Sequence, residues 1–184
     1  MTPIIWILIA FLAILALMFI FFFNRFVVLG KRIENSLAQI DVQLKKRADL
    51  VPNLVETVKG YAKHEKSIMT KVTDARQEMM KAKDIVGRMK AGNVLQNALG
   101  RLFAIAENYP QLRANENFLQ LQQELAAIED KIAYARQYYN DSILTYNTSC
   151  STFPGNIFAG IYGVKEKEFL KIPEVQRAVP KISF

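Results

Sequence analysis

The chain has 184 residues, 51% of them hydrophobic, with 24 Lys and Arg against 17 Asp and Glu for a net charge of +7. That length fits roughly one domain and argues against a large multidomain enzyme. A single Cys and a single His exclude an intrachain disulfide framework and leave too few ligands for a His/Cys metal cluster, so no cofactor is expected.

Apolar residues crowd the start of the chain. Of the first 23 residues 21 are apolar, and residues 4–23 form an unbroken apolar run. At about 1.5 Å per residue, a helix of that length crosses a hydrocarbon core of roughly 30 Å. Lipid offers no partner for backbone N–H and C=O groups, so the crossing must be helical. Ile4 and Phe23 bound this membrane span, and Trp6 lies near one end, where an indole suits the headgroup level. A secretory signal peptide is the competing reading. It is disfavoured because no Lys or Arg precedes the run, the run outlasts a signal h-region, and no small-x-small cleavage site follows Phe23.

Arg25, Lys31 and Arg32 trail the run, whereas residues 1–3 offer only the α-amino group. The positive-inside rule then places the amino end outside and the bulk of the chain in the cytoplasm. The opposite topology stays open, since long domains override charge bias. Arg25, Lys31 and Arg32 are the expected lipid-headgroup contacts, each worth about 1 kcal/mol beside an anionic surface.

From Ile33 onward, Leu37, Ile40, Leu44, Arg47, Val51, Leu54, Val58, Tyr61, Glu65, Ile68, Val72, Ala75, Met79, Ala82, Val86 and Met89 follow a 4,3 alternation. Such spacing predicts long helices with coiled-coil-like packing. Pro52 lies inside the pattern and should kink or interrupt the helix near 48–51. Asp49 then has the character of a new helix start, with Pro52 in its first turn. Lys45, Lys46 and Arg47 read as a solvated face, with Asp41 pairing Lys45 at i,i+4. The pattern fades over 87–92, where Gly87 and Gly92 predict a turn.

A middle helix follows on Leu95, Leu99, Leu102 and Ala106, broken before Pro110. The clearest stripe is Phe118, Leu121, Leu125, Ile128, Ile132, Ala135, Tyr139, Ser142 and Tyr146, with Glu124, Glu129, Lys131 and Arg136 expected to face solvent. No stretch alternates as a strand would. Residues 151–184 hold Pro154, Gly155, Gly160, Gly163, Pro173 and Pro180 among Phe153, Phe158, Tyr162, Phe169 and Phe184. Short helices broken by turns are expected there. An aromatic-rich tail packs on something, either its own bundle end or a neighbouring chain. Phe153, Phe158, Tyr162 and Phe169 are therefore the candidate oligomer contacts.

Ordered motifs carry a resemblance. Gln39-Ile40-Asp41-Val42-Gln43-Leu44-Lys45-Lys46-Arg47, Asp49-Leu50-Val51-Pro52-Asn53-Leu54-Val55 and Val58-Lys59-Gly60-Tyr61-Ala62-Lys63-His64-Glu65 make a first group; Tyr109-Pro110, Ala114-Asn115, Phe118, Leu121-Gln122 and Glu124-Leu125 a second; Ala135-Arg136, Tyr139-Asn140, Tyr146-Asn147 and Phe153-Pro154-Gly155-Asn156 a third. With these the chain closely resembles the bacterial LemA family over almost everything after about residue 26. Leu37 departs from it, standing where many relatives carry Trp. Asp41, Pro52, Asn53, Gly60 and Tyr61 are the motif residues singled out. The resemblance implies a single-pass inner (plasma) membrane protein with a long helical bundle beyond its anchor, and no enzymatic reaction. Relatives often accompany membrane zinc metalloproteases, which points toward membrane stress or protein quality control.

The remaining chemistry is sparse. His64 has no second His or Cys to join it, and Cys150 has no base but His64; a catalytic or metal role for either is disfavoured. The +7 balance alone supports nucleic acid, and no recognition module accompanies it. The expected protein is all-α. Residues 1–3 form a short tail, 4–23 a transmembrane helix, 24–150 a bundle of long antiparallel helices, and 151–184 an aromatic end segment. Its expected function is that of a self-assembling scaffold or adaptor on the lipid bilayer, or else of an accessory subunit to a membrane-protein partner. No small-molecule substrate and no nucleic acid are expected.

Overall fold

A computed structural model describes residues 3–170. Pro173, Pro180 and Phe184 lie outside the described residues. The described residues form six helices in order: α1 (Pro3–Tyr61), α2 (Lys66–Lys81), α3 (Ile85–Ala106), α4 (Pro110–Arg113), α5 (Glu116–Ser151) and α6 (Gly155–Tyr162). Among the described residues there is no strand. The all-α class with a long apolar first helix is as expected. The fold divides into two compact units, one built from residues up to Ser36 and from Arg136 onward, the other from Leu37–Ala135.

In the Leu37–Ala135 unit the predicted stripe forms the core. Ile40, Leu44, Val51, Leu54 and Val58 of α1 are buried with Val72 and Met79 of α2, Leu95, Leu99 and Leu102 of α3, and Phe118, Leu125 and Ile132 of α5. The short 62–65 connection and the Ala48–Arg76 contact run α2 antiparallel to α1; Tyr61–Asn115 with Arg47–Glu129 run α5 antiparallel to it, and Asp41–Arg88 with Arg47–Gly92 run α3 parallel. The strict 4,3 register does not hold to the end of α1. Tyr61 is exposed and Ala62, four residues after Val58, takes the buried place, because a helix of 3.6 residues per turn drifts off a 3.5-residue repeat.

Pro52 does not interrupt α1, which is continuous from Pro3 to Tyr61, so Asp49 starts no helix and lies exposed. The turn expected at 87–92 lies instead at 82–84, where Ala82 and Asp84 take extended backbone, and both glycines fall inside α3. Helix interiors tolerate Gly at about 1 kcal/mol each. Two local devices start the later helices. Pro110 opens α4, where its missing N–H costs nothing. Asn115 caps α5 by accepting the Phe118 N–H on its Oδ1 at 3.0 Å, with Glu116 favourably placed in the first turn.

In the other unit, α1 and α5 again run antiparallel. Phe26, Leu29 and Ile33 of α1 are buried with Tyr139, Ile143 and Tyr146 of α5. α6 then folds back on α1. Its end is a Schellman motif in which Gly163 sits at φ 66°, with Val164 N–H bonded to the Ala159 carbonyl at 2.9 Å and Gly163 N–H to the Gly160 carbonyl at 3.3 Å.

Candidate membrane-proximal site

Among the described residues one helix, α1, is long and apolar enough to cross a membrane, through its first third. The site of interest is the end of that apolar run, where α6 packs on it. Phe158 stacks on Phe22, with centroids 4.8 Å apart and planes 8° from parallel. Tyr162 meets Phe19 edge-on at 4.9 Å and Phe23 at 5.6 Å. Its hydroxyl donates to the Phe19 carbonyl at 2.6 Å. Phe26 continues the cluster onto α5 through Tyr146, 6.2 Å away. Edge-to-face and offset pairs of this kind add to what burial alone contributes.

Gly155 makes the fold-back possible. A Cβ at this position would lie 2.2 Å from the Ser149 carbonyl oxygen, so backbone occupies the space any side chain would need. That explains the glycine of the third motif. The peptide before Pro154 is cis.

After α6 the chain runs extended along α5, held by the asparagines of the same motif. Asn147 donates to the Lys167 carbonyl and accepts the Lys167 N–H, both at 2.9 Å. Asn140 accepts the Leu170 N–H at 3.0 Å and donates to its carbonyl at 3.4 Å. The spacing has a simple cause. Seven helical residues rise about 10.5 Å and three extended residues reach about 10 Å, so two side-chain amides one heptad apart meet backbone three residues apart. Lys167 also lies over the Tyr146 ring, 5.4 Å from its centroid.

The predicted headgroup cations are partly engaged within the chain. Arg25 Nε donates to Ser149 Oγ at 3.2 Å. Lys31 pairs with Glu34 at 2.8 Å on the exposed face, which raises the Lys31 pKa and lowers that of Glu34. Of the candidate oligomer contacts, Phe158 and Tyr162 pack inside the chain, while Phe153 is 81% and Phe169 47% exposed. Cys150 lies in the last turn of α5. Burial, then the charge of Glu166, pushes its thiol pKa up, with Lys167 opposing.

In the Leu37–Ala135 unit the motif residues turn out to be structural partners. Arg47, expected on a solvated face, is 1% exposed. It pairs with Glu129, also expected in solvent, and donates to the Gly92 carbonyl at 3.4 Å. Position 47 is a stripe position, so its cation goes inward and draws a carboxylate with it. Asp41 pairs with Arg88 rather than Lys45. Pro52 has no N–H for the Ala48 carbonyl, and Arg76 Nε supplies one at 2.7 Å. The first and second motif groups meet directly: Asn115 Nδ2 donates to the Tyr61 hydroxyl at 3.0 Å, and the Tyr109 hydroxyl donates to Glu65 at 3.1 Å. That bond to a carboxylate raises the Tyr109 pKa. Asn53 is exposed and Gly60 sits in the last turn of α1. His64 lines an open groove of about 720 Å³ with Lys59, Lys63, Lys66, Glu56 and Asp74. Among the described residues no group of three or more His, Cys, Asp or Glu is placed to hold a metal ion.

Sequence reasoning missed Arg76, Arg88 and the Phe19–Phe22 face. The first had a signal, since a proline inside a helix leaves a carbonyl that some donor must meet. Nothing in the spacing announced the other two.

The LemA family model matches residues 36–184. The chain belongs to the LemA family. This LemA-family chain is 27% identical to magnetosome protein MamQ 2 of Paramagnetospirillum magneticum, over 81% of its own length and 64% of the relative's. It is 28% identical to magnetosome protein MamQ of Magnetospirillum gryphiswaldense, over 80% and 64%, and 23% identical to protein LemA of Metamycoplasma hominis, over 79% and 67%. It thus spans 64% of the length of the MamQ relatives. As a LemA-family chain with a long apolar leading helix, it is a membrane-associated helical protein.

Proposed function

We propose that this chain is a non-catalytic scaffold or adaptor tethered to the bacterial inner membrane by α1, with the amino end outside and the helical body in the cytoplasm, and that it self-associates there. One observation carries the reading. The polar motif residues of the body serve helix-to-helix packing: Asp41 on Arg88, Tyr61 on Asn115, Glu65 on Tyr109, and the Pro52 gap on Arg76. Residues spent on holding an assembly rigid make a platform. A platform fixed in a bilayer gains from effective concentration, so weak contacts between tethered copies are amplified without new surface. The magnetosome association belongs to the MamQ relatives by name and fits a role in organising a membrane.

The test is the assembly state of the full chain in lipid nanodiscs and mild detergent, by native mass spectrometry and crosslinking. Discrete oligomers are expected. A strictly monomeric particle at every concentration would remove self-association.

A second reading, an accessory subunit acting by one-to-one contact with a membrane protein, draws on the groove by His64, whose lining mixes Lys59, Lys63 and Lys66 with Glu56 and Asp74 and so suits a polar segment of mixed charge. Stoichiometric co-purification with a membrane partner, in the absence of homo-oligomers, would favour it.

A further inference from the structure

We infer that α6 is a second membrane element: a short helix lying in the headgroup–acyl boundary of the same leaflet face from which α1 emerges, with its outward side in lipid. The inference rests on the reading of 4–23 as a span and adds a contact which that reading does not contain.

The depth of α6 along the span places it at the interface. α6 packs on Phe19, Phe22, Phe23 and Phe26, so it straddles the end of the apolar run. Phe19 lies four residues before Phe23, about 6 Å deeper along the helix axis. The Tyr162 hydroxyl reaches the Phe19 backbone, which brings α6 to that depth. Interfacial helices bury their apolar face by about 5–10 Å.

Composition agrees with position. Residues 152–164 carry no charged side chain, and the charges resume at Lys165. The exposed side of α6 is mostly apolar as well, with Asn156 its one polar side chain: Ile157 is 53% and Ile161 60% exposed, one turn apart, and Phe153 just before the helix is 81% exposed. In water three adjacent large apolar side chains would be unfavourable at roughly 25 cal/mol per Å². At the level of Phe19–Phe23 the surrounding medium is the lipid that bathes the span itself. The occupant of this face is therefore the bilayer. The Tyr162 hydroxyl has the Phe19 carbonyl, the helix end is closed by its Schellman bonds, and the Asn156 amide, whose Oδ1 accepts the Ile157 N–H at 2.9 Å, is left for the headgroup level at the start of α6. That satisfies the condition for backbone at membrane depth.

The test is spin-label depth measurement on the full chain in phosphatidylcholine/phosphatidylglycerol nanodiscs, in a C150S background. Single labels are placed at Ile157→Cys and Ile161→Cys, with Leu12→Cys as a span control and Leu119→Cys as an aqueous control. Labels at 157 and 161 should favour oxygen over a water-soluble nickel chelate and report a depth of about 5–10 Å, while 119 stays aqueous. If 12 reads deep in lipid but 157 and 161 collide with nickel as freely as 119, the interfacial helix is overturned and the span stands. If 12 is itself aqueous, the span reading fails and this inference with it. If 157 and 161 are shielded from both reagents and show spin–spin broadening, a second copy covers the face, and the lipid assignment is overturned.

Discussion

Pro52 and Arg76 form a coupled pair whose energetics follow from counting donors. In an uninterrupted helix the Ala48 carbonyl would accept from residue 52, and proline has no N–H to give. Ala48 is fully buried, so water cannot fill the vacancy cheaply, and Arg76 Nε does so from α2 at 2.7 Å. Replacing Arg76 by Ala strands that carbonyl. Hydrogen bonds to charged groups contribute about 1.5–3 kcal/mol, and Arg76 is only half-buried, so we expect a loss near the lower end, about 1.5–2 kcal/mol. At about 2–4 °C per kcal/mol for a chain of this size, the melting temperature should fall by roughly 3–8 °C. Pro52→Ala restores the helix's own donor and should stabilise the chain. In that background the same Arg76→Ala change should cost about 0.5 kcal/mol or less, leaving a coupling energy of roughly 1–1.5 kcal/mol, within the usual range for contacting residues. Thermal unfolding of the four proteins of the cycle in mild detergent, followed by far-ultraviolet circular dichroism, measures it. Equal losses in both backgrounds would refute the idea that Arg76 is there for the proline.

Asn147→Ala should free the extended segment locally, with Lys167 amide exchange rising about tenfold for two lost bonds worth roughly 0.5–1.5 kcal/mol each, while Leu170, held by Asn140, keeps more of its protection; unchanged exchange at Lys167 would remove the clamp. Gly155→Ala forces a Cβ to 2.2 Å from the Ser149 carbonyl and should cost at least about 2 kcal/mol by overpacking, seen as a lower melting temperature together with protease sensitivity around α6. Because burial raises the Cys150 thiol pKa, its thiolate fraction at pH 8 lies below that of a free cysteine. Alkylation should then be slower than for a cysteine peptide, with its pH midpoint shifted upward and restored to the ordinary value in urea. A midpoint below the ordinary range would contradict burial as the cause.

The helical class, the membrane run and most of the core were legible in residue order alone, because a 3.5–3.6 period and an unbroken apolar stretch are local properties of a chain. Ile40, Leu44, Val51, Leu54, Ile128 and Ile132 are buried where the stripe put them. Partnership between distant residues is a different matter. Asp41 had Lys45 one turn away and chose Arg88, 47 residues on. Arg47 and Glu129 looked like solvent charges, yet Arg47 is buried and a half-buried Glu129 comes to meet it. Gly87 and Gly92 looked like a turn and lie in a helix, since a glycine's cost of about 1 kcal/mol is small against the packing around it. The aromatic tail announced that it would pack but not on what. Only tertiary structure brought Phe158 and Tyr162 to Phe19 and Phe22, more than 130 residues earlier in the chain. Periodicity states which face of a helix is apolar, and the choice of partner for that face is made by all the helices packing at once.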